Sequence, residues 1–244
     1  MRVLVVGASA GVGRAICEAL GACGAALILV ASDERDLDAL ASHLRLVYNV
    51  DVQTVAADAT RLTEFIEKIS QSVAAFGQID SLYFPIGASL AEDQGHLGLE
   101  DVAGILNTNL TVVIGLISCF LPQLIELPQA HIVGFSSIAA IRGRKSNMVY
   151  SAAKRGLEAY FESLRHLCAG TGLHVQLYRL GYVATQQSYG KRLFFPVVSP
   201  WQVVHEVLNN QGRDIGVQFF PRYWVLIARL VSWLPWAIYK KLDF

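Results

Sequence analysis

The sequence is poor in charge, proline and cysteine: of its 244 residues, 16% are Asp, Glu, Lys or Arg, seven are proline and four are cysteine. Cys17, Cys23, Cys119 and Cys168 stand singly among apolar or small neighbours. That spacing excludes a zinc site or dithiol redox motif and points to free thiols in a reducing compartment. Charge of one sign is missing too. Twenty basic residues balance twenty acidic ones, and residues 1–190 hold 13 basic against 17 acidic, which excludes a globally basic nucleic-acid binder. No run of 18 apolar residues occurs, and the nearest approach, 223–239, is broken by Arg229 and Pro235. With 53% hydrophobic residues and no three-residue glycine period, disorder and collagen are excluded as well.

What remains is a core-forming chain. A length near the limit of one hydrophobic core predicts a single domain that buries roughly 70% of its extended surface. The opening segment enters an apolar run after Arg2 and turns into glycines, so it reads as a first strand rather than a signal peptide. Short β-branched runs at 3–6, 26–30, 47–50, 81–84, 132–135 and 175–179 alternate with helical patterns at 12–21, 34–44, 57–75, 102–121, 149–169 and 200–209. Long crossovers with right-handed connections make this an α/β protein with a doubly wound parallel sheet. The expected division is a nucleotide-binding domain over 1–220, then an apolar and basic extension over 221–244.

Two segments carry chemistry. Gly7, Gly11 and Gly13 lie between the first strand and helix, where glycines allow a tight turn, backbone approach to a pyrophosphate and close helix packing. The same glycines could simply serve the turn. Tyr150 and Lys154 are four apart and share a helix face, so an ammonium near the phenol would favour the phenolate and make the tyrosine an acid/base. Ser137 follows the strand at 132–135, at the carboxyl edge where such sheets bind ligands. An ordinary helix start and a serine-capped turn would look the same.

Taken in order along nearly the whole chain, these residues resemble the short-chain dehydrogenase/reductase family. Gly7, Gly11 and Gly13 match its glycine-rich loop, Asp58 its adenine-side acid, and Asn109 its helix asparagine. Ser137, Tyr150 and Lys154 match its serine, tyrosine and lysine, while Gly181 and Thr185 fall where the family has a Pro-Gly pair and a threonine near the nicotinamide. The resemblance implies a Rossmann fold and a nicotinamide cofactor held by Gly7, Ser9, Gly11, Val12, Gly13, Ser32, Arg35, Asp58, Ala59, Gly87, Tyr150, Lys154, Gly181, Val183 and Thr185. It implies hydride transfer with Tyr150 as proton donor, Lys154 and Ser137 supporting it, and Asn109 serving a water-linked proton path. Two departures stand out: the family's Asn-Asn-Ala-Gly reads Phe84-Pro85-Ile86-Gly87, and its proline before Gly181 is Leu180. The central loop must then be held by packing or backbone contacts.

Ala31 stands where NAD-specific members carry an acid, and Ser32 and Arg35 could contact a 2′-phosphate, so NADP is expected, with NAD as the alternative. Arg142, Arg144 and Lys145 form a basic loop between the serine and the tyrosine, suited to a substrate phosphate, a solvated surface or a subunit contact. The extension carries Trp224, Trp233 and Trp236 with Arg222, Arg229 and Lys240. It could pack on the sheet, join a subunit, or lie at a lipid surface. Loop and extension together resemble reductases acting on lipid-linked sugars in bacterial envelope synthesis. That likeness implies a lipid-linked keto-sugar substrate, peripheral membrane contact, and a cytoplasmic enzyme placed at the inner face of the membrane. A small ketone, steroid or acyl substrate, or a non-enzymatic scaffold, are the alternatives. A homodimer or homotetramer through the helices at 102 and 149 is the family's expectation.

Overall fold

A computed structural model of the chain describes residues 1–186, 188, 190 and 194–242. Seven parallel strands form one sheet: β1 (Arg2–Val6), β2 (Ala26–Ala31), β3 (Val52–Ala56), β4 (Ser81–Phe84), β5 (Ala130–Ser137), β6 (Leu173–Leu180) and β7 (Val217–Phe220), in the order β3-β2-β1-β4-β5-β6-β7. Val3, Leu4, Val5 and Val6 are all fully buried, because helices cover both faces of the sheet. Each such side chain contributes roughly 1.5–3 kcal/mol on burial. Leu4 and Val6 face α3 (Leu62–Phe76), α5 (Val112–Leu124) and α6 (Met148–Leu167). Val3 and Val5 face α1 (Gly11–Ala22), α2 (Glu34–Tyr48) and α7 (Pro200–Asn209). Strand order reverses at β1, so the crevice beyond the carboxyl ends of β1 and β4 is where a doubly wound sheet binds its ligand.

Several boundaries differ from the sequence pattern. The apolar run at 47–50 is not a strand: α2 continues to Tyr48, whose ring lies against Gly21 of α1, and ends at Asn49 in the left-handed conformation. β3 starts at Val52 instead. The helix expected over 57–75 starts at Leu62, because Asp58 accepts from the Thr60 N–H and hydroxyl at 2.9 and 2.8 Å and holds a turn. The helix expected over 102–121 is α4 (Leu99–Leu106), a π turn at Asn107–Thr111 and then α5. Among the described residues this continuous stretch is the one long and apolar enough to cross a membrane, and its buried face is taken up by core packing on the sheet. β7 escaped the sequence reading because its four half-buried residues show no clean alternation.

The extension folds as α8 (Trp224–Trp233) and a single turn α9 (Trp236–Tyr239). Trp224 is buried among Tyr182, Phe195 and Tyr223, with ring centroids 4.9–5.7 Å apart. Its indole covers Gly181 so closely that a Cβ there would lie 1.9 Å from Nε1. Glycine at 181 is therefore a packing requirement of the extension.

Candidate active site

A cleft of about 760 Å³ opens at the switch point, lined by β1–α1, the ends of β2, β4 and β5, and the segment after β6. Gly7, Ser9, Gly11, Val12, Ser32, Asp58, Ala59, Gly87, Gly181, Val183 and Thr185 all border it, together with Ser137, Arg144, Tyr150 and Lys154. The glycine loop is shaped for close backbone approach. Gly7 has φ +94° and Gly11 φ +52°, and a Cβ on Gly13 would meet the Gly7 carbonyl oxygen at 1.8 Å. Gly13 thus works beneath the cleft rather than at its wall. No side chain caps α1 and no acid lies in its first turn, so its N-terminus is open to an anion. These features fit a dinucleotide phosphate.

Arg35 does not border the cleft. Its side chain is 94% exposed and pairs with Asp33 at 3.8 Å. Asp33 in turn caps α2, its Oδ1 accepting from the Asp36 N–H at 3.1 Å. The acids beside Ser32 are thereby turned into the first turn of their own helix. Ala31 and Ser32 present no carboxylate at the end of β2.

The expected catalytic group is assembled from two elements, β5 and α6. Ser137 closes β5, and its Oγ accepts from the Ala139 N–H at 3.2 Å. Tyr150 stands in the first turn of α6, with the Ser137 hydroxyl near enough to its phenol to favour the ionised form. Lys154, one turn on, is almost fully buried, and its Nζ donates to the carbonyl oxygens of Phe135 at 3.0 Å and Ile86 at 3.4 Å. It lies 5.9 Å from the Tyr150 ring centroid. The departure at Phe84-Pro85-Ile86 costs the cleft no lysine contact, because the Ile86 carbonyl serves and Phe84 is packed in the core.

The electrostatics differ from the sequence argument in one respect. The phenol of Tyr150 titrates above its ordinary value, since burial outweighs the lowering by the Ser137 hydroxyl and by nearby Arg144. Lys154 is pulled down to about 8 by burial, opposed by the charge of Glu158. At neutral pH the site therefore holds a protonated phenol and a charged lysine, poised to give a proton. Asn109, fully buried within the π turn, donates from Nδ2 to the Ala88 carbonyl at 2.7 Å and the Ile105 carbonyl at 2.9 Å, and its Oδ1 accepts from the Ala88 N–H at 3.3 Å. It does not border the cleft and instead pins the loop carrying Gly87.

The basic loop divides. Arg144 borders the cleft; Lys145 does not. Arg142 is turned away from the cleft, because the end of α8 leaves carbonyls that a guanidinium can satisfy: Nη1 donates to Val231 O at 2.7 Å and Leu234 O at 2.6 Å. Its guanidinium also lies 3.9 Å over the Tyr239 ring, whose hydroxyl donates to the Gly143 carbonyl at 2.7 Å. The expected phosphate ligand is thus the clamp that holds the extension to the loop beside the tyrosine.

Two further residues escaped the sequence reading. Glu158, in α6, accepts from Ser136 Oγ at 2.6 Å and from Arg179 Nε at 2.7 Å, tying the lysine's helix to β5 and β6. Asp93 is fully buried, and its carboxylate meets the start of α6. Glu158 had a legible signal, since it lies one turn after Lys154; Asp93, in a short turn 57 residues before Tyr150, had none.

Residues 1–192 match the sequence profile of the family described as short chain dehydrogenase. An uncharacterized oxidoreductase of Myxococcus xanthus is 30% identical over 236 residues, covering 95% of this chain and 92% of that protein. A 3-oxoacyl-[acyl-carrier-protein] reductase of Escherichia coli is 30% identical over 190 residues, covering 76% and 74%. Among solved structures, a short-chain dehydrogenase from Sphingobium yanoikuyae in complex with NADPH superposes with a TM-score of 0.83 at 24% identity, covering 97% of each chain.

Proposed function

This chain belongs to the short-chain dehydrogenase/reductase family of oxidoreductases, and on that premise we propose that it is an NADPH-dependent reductase of a keto group on a polyprenyl-phosphate-linked sugar. The chemistry rests on Ser137, Tyr150 and Lys154 converging at the cleft. A reduced nicotinamide cofactor supplies the hydride when bound. Gly7 to Gly13 would cradle its pyrophosphate, Asp58 and Ala59 would hold the adenosine side, and Gly181, Val183 and Thr185 the nicotinamide side. Ser137 holds the substrate oxygen, Tyr150 passes its phenolic proton to that oxygen, and the Lys154 ammonium steadies the phenolate left behind.

The observation that carries the substrate class is the extension. Leu226, Leu230, Trp233, Trp236 and Ile238 are 51–87% exposed, and residues 221–242 hold four basic residues and no acid. Aromatic and aliphatic side chains rimmed by cations suit an anionic lipid surface. Through Trp224 on Gly181 and Arg142 under α8, the helix that carries that face is anchored beside the cleft, where Arg144 would supply a guanidinium for phosphate. This supports the substrate class of decaprenylphosphoryl 2-keto-ribose reductases and a cytoplasmic enzyme working at the inner membrane face. Turnover with NADPH of a polyprenyl-phosphate keto-sugar, a small ketone and a β-ketoacyl thioester tests it. A kcat/KM highest on the lipid-linked sugar is expected. Preference for the thioester or the small ketone rejects the substrate and leaves the reductase.

The cofactor preference has its own test. Ala31→Asp would put a carboxylate at the end of β2, where it accepts from ribose hydroxyls and repels a 2′-phosphate. The kcat/KM ratio of NADPH to NADH is expected to fall at least about tenfold, a change of roughly 1.4 kcal/mol. An unmodified enzyme that already prefers NADH overturns the NADP reading.

A pH dependence follows from Lys154. Its ammonium is present below about pH 8 and lost above it. The kcat/KM for reduction should therefore fall as pH rises through that value, and Glu158→Gln, which removes the charge holding the lysine up, should move the fall to lower pH.

A further inference from the structure

We propose that Asp93 is the positioning residue of the proton donor: it fixes where Tyr150 stands by supplying the whole N-terminal cap of α6 from a distant loop. This rests on the reading of Tyr150 as the acid. A helix leaves its first N–H groups without internal partners. Here the residue that should cap them cannot, because Asn147 is left-handed, with φ +59°, and its side chain caps nothing. One residue takes all three instead. The Val149 N–H donates to Asp93 Oδ1 and the Tyr150 N–H to Oδ2, each at 3.0 Å, and the Met148 N–H reaches the Asp93 carbonyl oxygen at 3.4 Å. The first bond inside the helix follows at once, from the Ser151 N–H to Asn147 O at 2.8 Å.

Asp93 is itself fully buried and held in a tight turn, its N–H donating to Leu90 O at 3.3 Å, with Gly95 at φ +92° against the Met148 sulfur. That turn continues the segment whose earlier residues, Pro85 to Ser89, border the cleft. A charged acceptor bonding two backbone N–H groups is stronger and shorter-ranged in its geometry than a neutral cap. Its second bond falls on the catalytic residue's own N–H, so the Cα of Tyr150 is tied to the opposite wall of the cleft. Without it, the first turn of α6 can unwind while Lys154, one turn deeper and bonded to β5, stays in place.

The test uses Asp93→Ala and Asp93→Asn in the full-length enzyme, with NADPH titration by fluorescence counting intact sites. Asparagine keeps one acceptor oxygen and places an amide against the second N–H. We expect kcat per NADPH-binding site to fall about 100-fold in the alanine variant, the size of loss that an ångström of misplacement produces, and less in the asparagine variant. NADPH affinity should stay near that of the unmodified enzyme, since the glycine cradle is on another element. The solvent deuterium isotope effect on kcat should rise as proton transfer becomes slower than hydride transfer. A purely structural cap would lower the number of intact sites and leave kcat per site and its isotope effect unchanged, which overturns the proposal. Should the alanine variant not fold, the asparagine variant decides by the same two readouts. If Tyr150→Phe itself retains activity, the premise fails rather than the cap.

Discussion

Tyr150→Phe should lower kcat for carbonyl reduction by about 10²–10⁴-fold, the contribution of a positioned general acid, and leave NADPH binding near its original strength. The ring keeps its place at the start of α6, and the glycine cradle at Gly7 to Gly13 is untouched. What is lost is the transferable proton and the polar group beside Ser137. Burial holds the phenol protonated well past neutral pH, so the unmodified enzyme has its donor fully charged with a proton under ordinary conditions. The remaining rate in the phenylalanine variant should track solvent acid. Steady-state kinetics at pH 6–8 beside NADPH titration measure both halves, and a near-normal kcat would remove Tyr150 from the mechanism.

The sequence made the cluster of Ser137, Tyr150 and Lys154 at the cleft legible because its pattern is local. A tyrosine and a lysine one turn apart share a face on any helix, and glycines between a strand and a helix serve a turn wherever they occur. It misled where a residue's partner lies far along the chain. Arg142 reads as a phosphate ligand from its neighbours Arg144 and Lys145, yet its acceptors are carbonyls 89 and 92 positions away. Lys154 was expected to lower the phenol, and burial, which no spacing reveals, raises it instead. Asn109 sits within a π turn that periodicity cannot show, since a single widened turn leaves the apolar pattern of the long helix almost unchanged. The strand misplaced at 47–50 is of the same kind: Val47 and Val50 favour a strand locally, while Tyr48 packing on Gly21 keeps the chain helical.

The proposed lipid-facing role of the extension predicts its own large effect, and the structure selects the variant. Removing the extension is a poor probe, because Trp224 and Tyr239 are buried and their loss would strip the cover from Gly181 and the Arg142 loop. Leu230, Trp233 and Trp236 point outward at 70%, 87% and 68% exposure, so replacing all three by serine should leave the fold and the cleft intact. Even partial insertion of three such side chains into a bilayer is worth roughly 3 kcal/mol, about a hundredfold in partitioning. Arg229, Lys240 and Lys241 on the same exposed segment add roughly 1 kcal/mol each near an anionic surface. The unmodified enzyme should therefore sediment with vesicles rich in phosphatidylglycerol and be released by salt, because screening shortens the reach of those cations to about 8 Å at physiological ionic strength. The triple variant should lose about a hundredfold in vesicle binding. It should also lose kcat/KM on the lipid-linked sugar while reducing a small ketone at the original rate. Equal vesicle binding by the two proteins would reject the lipid-facing role. An equal fall on the small ketone would assign the exposed face to the catalytic body, as a contact between two copies of this chain, and size-exclusion chromatography of the same variant would show that dimer lost.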